Sequence, residues 1–159
     1  MLKYCCNKEI DKELLDFRKR QVCYNGIEEV IINEEYLIED MQIPPGFDET
    51  SHYIYRIYYN DLMIGLIDYQ TGYRYSMLHD DDNIWIGLFL VDENYQRKGL
   101  GTKIINQFIE KWQSQYKSIQ LACIKDNQKG LAFWHSLGFE KIGCSKYRDL
   151  DVIVLQRNL

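Results

Sequence analysis

The sequence is poor in the residues that divide a chain. It has two prolines, no Pro/Gly/Ser-rich run and no low-complexity stretch, so nothing marks a linker. No internal repeat is visible, which excludes solenoids and propellers. No apolar run approaches the roughly 20 residues of a membrane-spanning helix. The opening MLKYCCNKEI lacks an apolar core segment, so no signal peptide is expected. The five cysteines (Cys5, Cys6, Cys23, Cys123, Cys144) are odd in number and form no CxxC pair. They read as reduced thiols, and a cytoplasmic location is expected. His52, His79 and His135 lie far apart without ligand spacing, so no metal is expected. Positive charge is also in deficit. Nineteen Lys and Arg against 24 Asp and Glu give a net charge of −5, which argues against a nucleic-acid partner. No membrane partner is expected either.

What is present suits one ordinary globular domain, expected over residues 1–159. Hydrophobic residues make up 46% and charged residues 27%. Thirteen tyrosines supply many rings that are apolar in body and polar at the tip. Residues 9–23 and 27–41 place their apolar residues at helical spacing, with Asn25-Gly26 expected to stop the first helix and Pro44-Pro45-Gly46 to end the second region. The period then changes. Tyr53–Tyr59 and Leu62–Tyr69 read as strands of a hairpin around Asn60-Asp61. Residues 70–83, with His79 and Asp80-Asp81-Asp82, read as a loop or a long hairpin tip. Ile84–Val91 has no charge and reads as a central strand buried on both faces. Leu100, Ile104, Ile105, Phe108, Ile109 and Trp112 share one face of a long helix. Ser118–Ile124 is a strand, Asn127–Leu137 a short helix closed by Gly138, and two strands near 140–147 and 151–156 finish the chain. The strand–helix–strand unit over 84–124 implies a parallel pair with a right-handed crossover. The expected class is α/β (α+β), a mixed central β-sheet flanked by helices.

Between the central strand and the long helix lies Gln96-Arg97-Lys98-Gly99-Leu100-Gly101-Thr102. A Walker phosphate loop requires GxxxxGK followed by Ser or Thr, and the stretch fails it at two places. A dinucleotide fingerprint requires a third glycine where Ile104 stands. The physics of the segment is simpler. Amides at a helix start are unpaired, and the helix dipole favours an anion there. Gly99 and Gly101 leave the backbone open, Arg97 and Lys98 add positive charge, and Thr102 brings a hydroxyl. Such a set suits a pyrophosphate.

Gln96 to Gly101 matches the Q/R-x-x-G-x-G/A signature of the GCN5-related N-acetyltransferases, the GNAT superfamily, and the chain resembles that family. Asn127-x-x-Gly130-x-x-Phe133-Trp134 followed by Leu137-Gly138-Phe139 resembles the family's N-x-x-A-x-x-F-Y…L-G-F segment. The resemblance is specific over about residues 53–145 and topological before that. It implies a single GNAT-like domain that takes acetyl-CoA as co-substrate. Gln96, Arg97, Lys98, Gly99, Leu100, Gly101 and Thr102 would cradle the pyrophosphate. Leu90 and Val91, at the end of the preceding strand, would hold the pantetheine arm. Asn127, Phe133 and Trp134 would also contact the cofactor. The acceptor would be a primary amine of a small molecule or a peptide, and the resemblance is compatible with a homodimer.

Direct acetyl transfer needs a neutral amine. Deprotonating a lysine-like amine at neutral pH costs about 4.6 kcal/mol, which a base lowers. The oxyanion needs a donor, for which the Val91 N–H is the candidate. The family's general-acid tyrosine corresponds to Trp134, whose indole is no usable acid, and its glutamate base corresponds to about Trp85. Asp68 and Tyr69 are the substitutes assigned to catalysis. Glu28 and Glu29 could bind a cationic acceptor, although solvated surface carboxylates are the plainer expectation. His135 is expected to be exposed and Cys123 to be core. Tryptophan at both usual catalytic positions leaves a second reading open, a module that binds acyl-CoA without transfer.

Overall fold

The computed structural model describes residues 1–159. In chain order the elements are β1 (Leu2–Cys6), α1 (Lys12–Arg20), α2 (Val22–Glu28), α3 (Glu34–Asp40), β2 (His52–Tyr59), β3 (Leu62–Arg74), β4 (Leu78–Val91), α4 (Leu100–Trp112), β5 (Ser118–Ile124), α5 (Gln128–Ser136), β6 (Glu140–Tyr147) and β7 (Leu150–Asn158). The seven strands hydrogen-bond in the order β1-β2-β3-β4-β5-β7-β6. The sheet is mixed: β4 and β5 run parallel, while β1/β2, β5/β7 and β6/β7 are antiparallel. This is the expected α/β class.

By compactness the chain resolves into two units. The first comprises residues 1–69 and 88–101, the second residues 70–87 and 102–159.

In the first unit, Asp11 starts α1 by accepting the Leu14 N–H at 3.0 Å, and Leu14 and Phe17 are buried from its inner face. They pack with Ile32, Leu37, Ile54, Met63, Leu66 and Leu90. Burying each such side chain contributes about 1.5–3 kcal/mol. The expected first helix is in fact two. The chain breaks at Gln21, whose side-chain amide turns back to the Phe17 carbonyl at 2.9 Å. Asn25-Gly26 does not stop a helix but lies inside α2, because the Asn25 side chain donates to the Arg18 carbonyl at 2.8 Å and secures α2 to the end of α1. α2 ends instead at Glu29, in the left-handed region at φ 59°. Residues 29–33, expected to be helical, are not; α3 starts at Glu34 because Asn33 caps it through the Tyr36 N–H. Asn60 and Asp61 both have positive φ, the conformation of a tight two-residue hairpin turn. Strand β1, which no sequence pattern marks, pairs with β2 from Leu2 opposite Tyr59 to Cys6 opposite Tyr55.

In the second unit, residues 70–83 form the long hairpin tip, one of the two expected arrangements, and not a loop. Strand β3 continues to Arg74, the chain reverses around Ser76 and Met77 with positive φ at both, and β4 already begins at Leu78. His79 and Asp80 to Asp82 therefore lie on a strand. Asn83 is fully buried and donates to the Tyr73 carbonyl at 2.6 Å, which ties the long hairpin together. The parallel register runs from Asn83 opposite Ser118 to Ile86 opposite Leu121. Strand β4 is not buried on both faces: Ile84, Ile86 and Leu90 are buried, Trp85, Leu88 and Phe89 are half-buried and Gly87 is exposed. Ile104, Ile105, Phe108, Ile109 and Trp112 form the buried face of α4, at the expected spacing. Gly138 closes α5 with φ 84°, while the Phe139 N–H reaches back to the Trp134 carbonyl.

Candidate active site

The first unit builds the loop from the end of β4. The Asp92 N–H donates to the Ile64 carbonyl of β3 at 2.7 Å. Successive amides of a strand point to opposite edges, so the Val91 N–H is directed away from β3. The Val91 carbonyl accepts the Gln96 side-chain amide at 2.9 Å, which fixes the loop to the strand end. Asp92 is buried, starts a 3-10 turn over Glu93–Tyr95, and receives Arg20 Nε at 3.1 Å. Arg97 and Gly99 have φ of 61° and 76°, and nothing lies within 4 Å of where a Gly99 Cβ would stand. Gln96, Arg97, Lys98 and Gly99 are exposed, and Lys98 Nζ lies 5.3 Å from the Tyr95 ring centre. Leu100 and Gly101 open α4, and the first turn contains no acidic side chain. Left-handed backbone at Arg97 and Gly99, beside a helix start, is a feature of backbone anion nests. The open backbone, the two basic residues and the unpaired amides fit a pyrophosphate.

The helices α1 and α2 are fastened to this loop. The Glu93 carboxylate accepts the Cys23 N–H at 2.8 Å, and the Glu93 N–H donates to the Gln21 side chain at 3.0 Å. No motif in the sequence singles out Asp92 or Glu93.

On β3, Asp68 and Tyr69 point to opposite faces of the sheet, as alternation requires. Tyr69 is fully buried, stacked on Tyr53 with ring centres 5.0 Å apart and near Tyr55 at 6.2 Å. Asp68 Oδ1 lies 2.7 Å from His52 Nε2. Burial pushes the Asp68 carboxyl above its usual range, and the hydrogen bond from His52 partly offsets this. His52 begins β2 and is buried, although its sequence spacing speaks only to metal binding, and against it. Asp68 and His52 stand at similar distances either side of the Asn60-Asp61 turn, a signal the hairpin already carried.

Glu28 is not a solvated surface carboxylate. It is 5% exposed and accepts the Tyr36 hydroxyl at 2.9 Å. Burial beside Glu28 raises the Tyr24 hydroxyl well above its usual range. Arg18, also buried, pairs with Asp40 at 3.1 Å. Glu29 is exposed.

In the second unit Thr102 is exposed on the first turn of α4. Asn127 caps α5 through the Gly130 N–H at 2.9 Å. A Cβ on residue 130 would stand 2.5 Å from Asn127 Nδ2, so glycine there lets the cap sit close. Phe133 is half-buried, and Trp134 is buried edge-on between Phe133 and Phe139 with centres 5.0 Å from each. His135 is exposed and bonds the Phe139 carbonyl through Nδ1 at 2.9 Å. Cys123 is buried in β5, as expected of a core thiol. No helix is long and apolar enough to cross a membrane.

Residues 16–139 match the model of the acetyltransferase (GNAT) family, and the chain belongs to that family. It is similar to the spermine/spermidine N(1)-acetyltransferase of Bacillus subtilis strain 168, 28% identical over 100 residues. The matched part is 62% of this chain and 66% of that relative, just under two thirds of its length. The fold is similar to that of an acetyltransferase from Thermus thermophilus, with a TM-score of 0.77, 18% identity and coverage of 99% of this chain and 97% of that one. It is also similar to a GNAT family acetyltransferase from Elizabethkingia anophelis with acetyl-CoA bound, with a TM-score of 0.65, 16% identity and coverage of 99% and 98%.

Proposed function

We propose that this chain is an acetyl-CoA-dependent N-acetyltransferase that moves an acetyl group directly to a primary amine of a small molecule, and that residues 1–159 work as one acetyltransferase domain. The observation that carries the reading is the run from Val91 to Gly101. There, a strand-end amide directed away from β3, a Gln96 clamp and a left-handed, glycine-bearing turn lead into a helix start. The amides and basic side chains of Gln96, Arg97, Lys98, Gly99, Leu100 and Gly101 hold the pyrophosphate. Leu90 and Val91 hold the pantetheine arm, and the Val91 N–H donates to the carbonyl oxygen as negative charge develops there. Contacts of Thr102, Asn127, Phe133 and Trp134 with the cofactor are assigned residue by residue from the family. Acetyl-CoA supplies the activated acyl group.

Asp68 serves the removal of the amine's proton, through its bond to His52. Tyr69, packed among tyrosines, holds the opposite face of the same strand. A polyamine is the acceptor class favoured by the similarity to a spermine/spermidine acetyltransferase. The thiolate leaves without a dedicated acid, since thiols ionise near pH 8.5.

The test is ligand-dependent melting. Acetyl-CoA should raise the melting temperature of the wild-type protein, and Gly101→Glu should remove that shift by placing bulk and negative charge at the pyrophosphate. Absence of a wild-type shift at millimolar ligand overturns the reading. Thiol release across a panel of amines then identifies the acceptor.

A further inference from the structure

We propose that His52 is the general base of the transfer, with Asp68 as the residue that positions it. The inference rests on the acetyltransferase reading and deepens it. The ring of His52 makes one hydrogen bond, from Nε2 to Asp68 Oδ1 at 2.7 Å, and Nδ1 has no hydrogen-bond partner. A carboxylate bound to one imidazole nitrogen holds the proton on that nitrogen. The lone pair is then on the other, which is the arrangement a proton acceptor needs. The site is pre-formed: His52 is 5% exposed, begins β2, and is anchored because its backbone N–H bonds the Glu49 carbonyl.

The placement along the sheet is also suitable. Gly65 lies against the Leu90 carbonyl, since a Cβ there would stand 3.1 Å from it. Asp68 is three residues further along β3, about 10 Å away at strand spacing. The dyad therefore stands within one acceptor molecule's length of the strand end assigned to the thioester. The charged groups acting on Asp68 are His52 from β2, Asp40 from α3 and Arg18 from α1, and the last two are paired with each other at 3.1 Å. Asp68 is thus the acidic group left to face the imidazole, and a bare carboxylate would be the weaker base for an alkylammonium.

The proton balance is simple. Two protons leave the acceptor nitrogen. The first passes through Nδ1 to solvent as the ammonium becomes an amine. The second is released as the N–C bond forms, and it ends on the sulfur of CoA as the C–S bond breaks.

The test compares wild type, His52→Gln and Asp68→Asn, with spermidine as acceptor. Asparagine at 68 keeps the shape but donates to Nε2, which moves the ring proton to Nδ1 and blocks the lone pair. Both variants should keep the acetyl-CoA melting shift. Near neutral pH both should lose about 100-fold or more in kcat/KM, the range of general-base catalysis. The deficit should shrink towards about pH 10, where spermidine arrives already neutral. A deficit equal at all pH values, or a loss below about threefold, overturns the proposal. A second measurement is independent of turnover. Nitrogen-15 NMR of the wild-type ring should show Nδ1 unprotonated and Nε2 protonated at about pH 8, and the opposite tautomer overturns the proposal. A missing acetyl-CoA shift in wild type instead defeats the cofactor reading, while the tautomer still decides the role of His52.

Discussion

The Glu93 carboxylate accepts the backbone N–H of Cys23 at 2.8 Å and so caps α2 from a distance of 70 residues in sequence. The helix has no cap of its own, since the Gln21 side chain is used elsewhere. Glu93→Ala should therefore lower stability by about 1 kcal/mol, the ordinary value of a lost N-cap. It should also weaken acetyl-CoA binding, because the residue anchors the start of the loop proposed to hold the pyrophosphate. Thermal melts and an acetyl-CoA titration check both, and unchanged values in each would show that the cap is idle.

Gly26 occupies a helix interior with no positive φ, and a methyl group added there would meet nothing within 4 Å. Gly26→Ala should stabilise the protein by about 0.5–1 kcal/mol, through helix propensity and a less free unfolded chain. Urea denaturation measures this. A loss of stability would mean that α2 needs the flexibility of glycine.

Asp11 has two tasks. One oxygen caps α1 and the other lies 2.9 Å from the buried Arg56 guanidinium. The bond from Arg56 holds the Asp11 carboxyl below the usual carboxylate range. A lowered carboxyl contributes stability above its unfolded value, and this is lost as pH falls through the folded one. Asp11→Ala should cost about 1–2 kcal/mol at neutral pH. Asp11→Asn should retain most of the cap and lose the acid-sensitive part. Melts at neutral and acid pH separate the two, and equal acid sensitivity in wild type and Asp11→Asn would refute the pairing.

Cys123 is buried, and its thiol is pushed up to about 11 by desolvation, whereas Cys5, Cys6, Cys23 and Cys144 are exposed. Four thiols should react quickly with a thiol reagent in the native protein, and Cys123 should react only on unfolding. A thiol with a raised folded value keeps its proton longer in the folded state. Stability should therefore fall as pH rises from about 8.5 towards 11, by a few kcal/mol at most. Cys123→Ala should remove that slope. A fifth fast thiol would place Cys123 at the surface.

Much of the fold was legible because its periodicities are strong. The face of α4 repeats from Ile104 to Trp112, and β5 spans the predicted Ser118–Ile124. What escaped detection was held by contacts distant in sequence. β1 is five residues long and mostly exposed, so only its pairing with β2 makes it a strand. The break at Gln21 depends on bonds to Phe17 and to Glu93, neither of which a periodic pattern encodes. The loop assigned to the cofactor was readable because glycines and basic residues at a strand–helix junction leave few other uses. Asp68 was singled out in the sequence but its partner His52 was not, because the two meet only when β2 and β3 fold back on each other.

The position of Asn25-Gly26 inside α2 bears on how the protein ages. An asparagine before glycine usually loses its amide nitrogen when the next backbone nitrogen attacks the side-chain carbonyl. In α2 the backbone is helical, and the Asn25 amide is held on the Arg18 carbonyl, which keeps the attacking geometry from forming. Deamidation of Asn25 therefore waits on the opening of α2, and the slow appearance of one extra negative charge would record how often that helix comes apart.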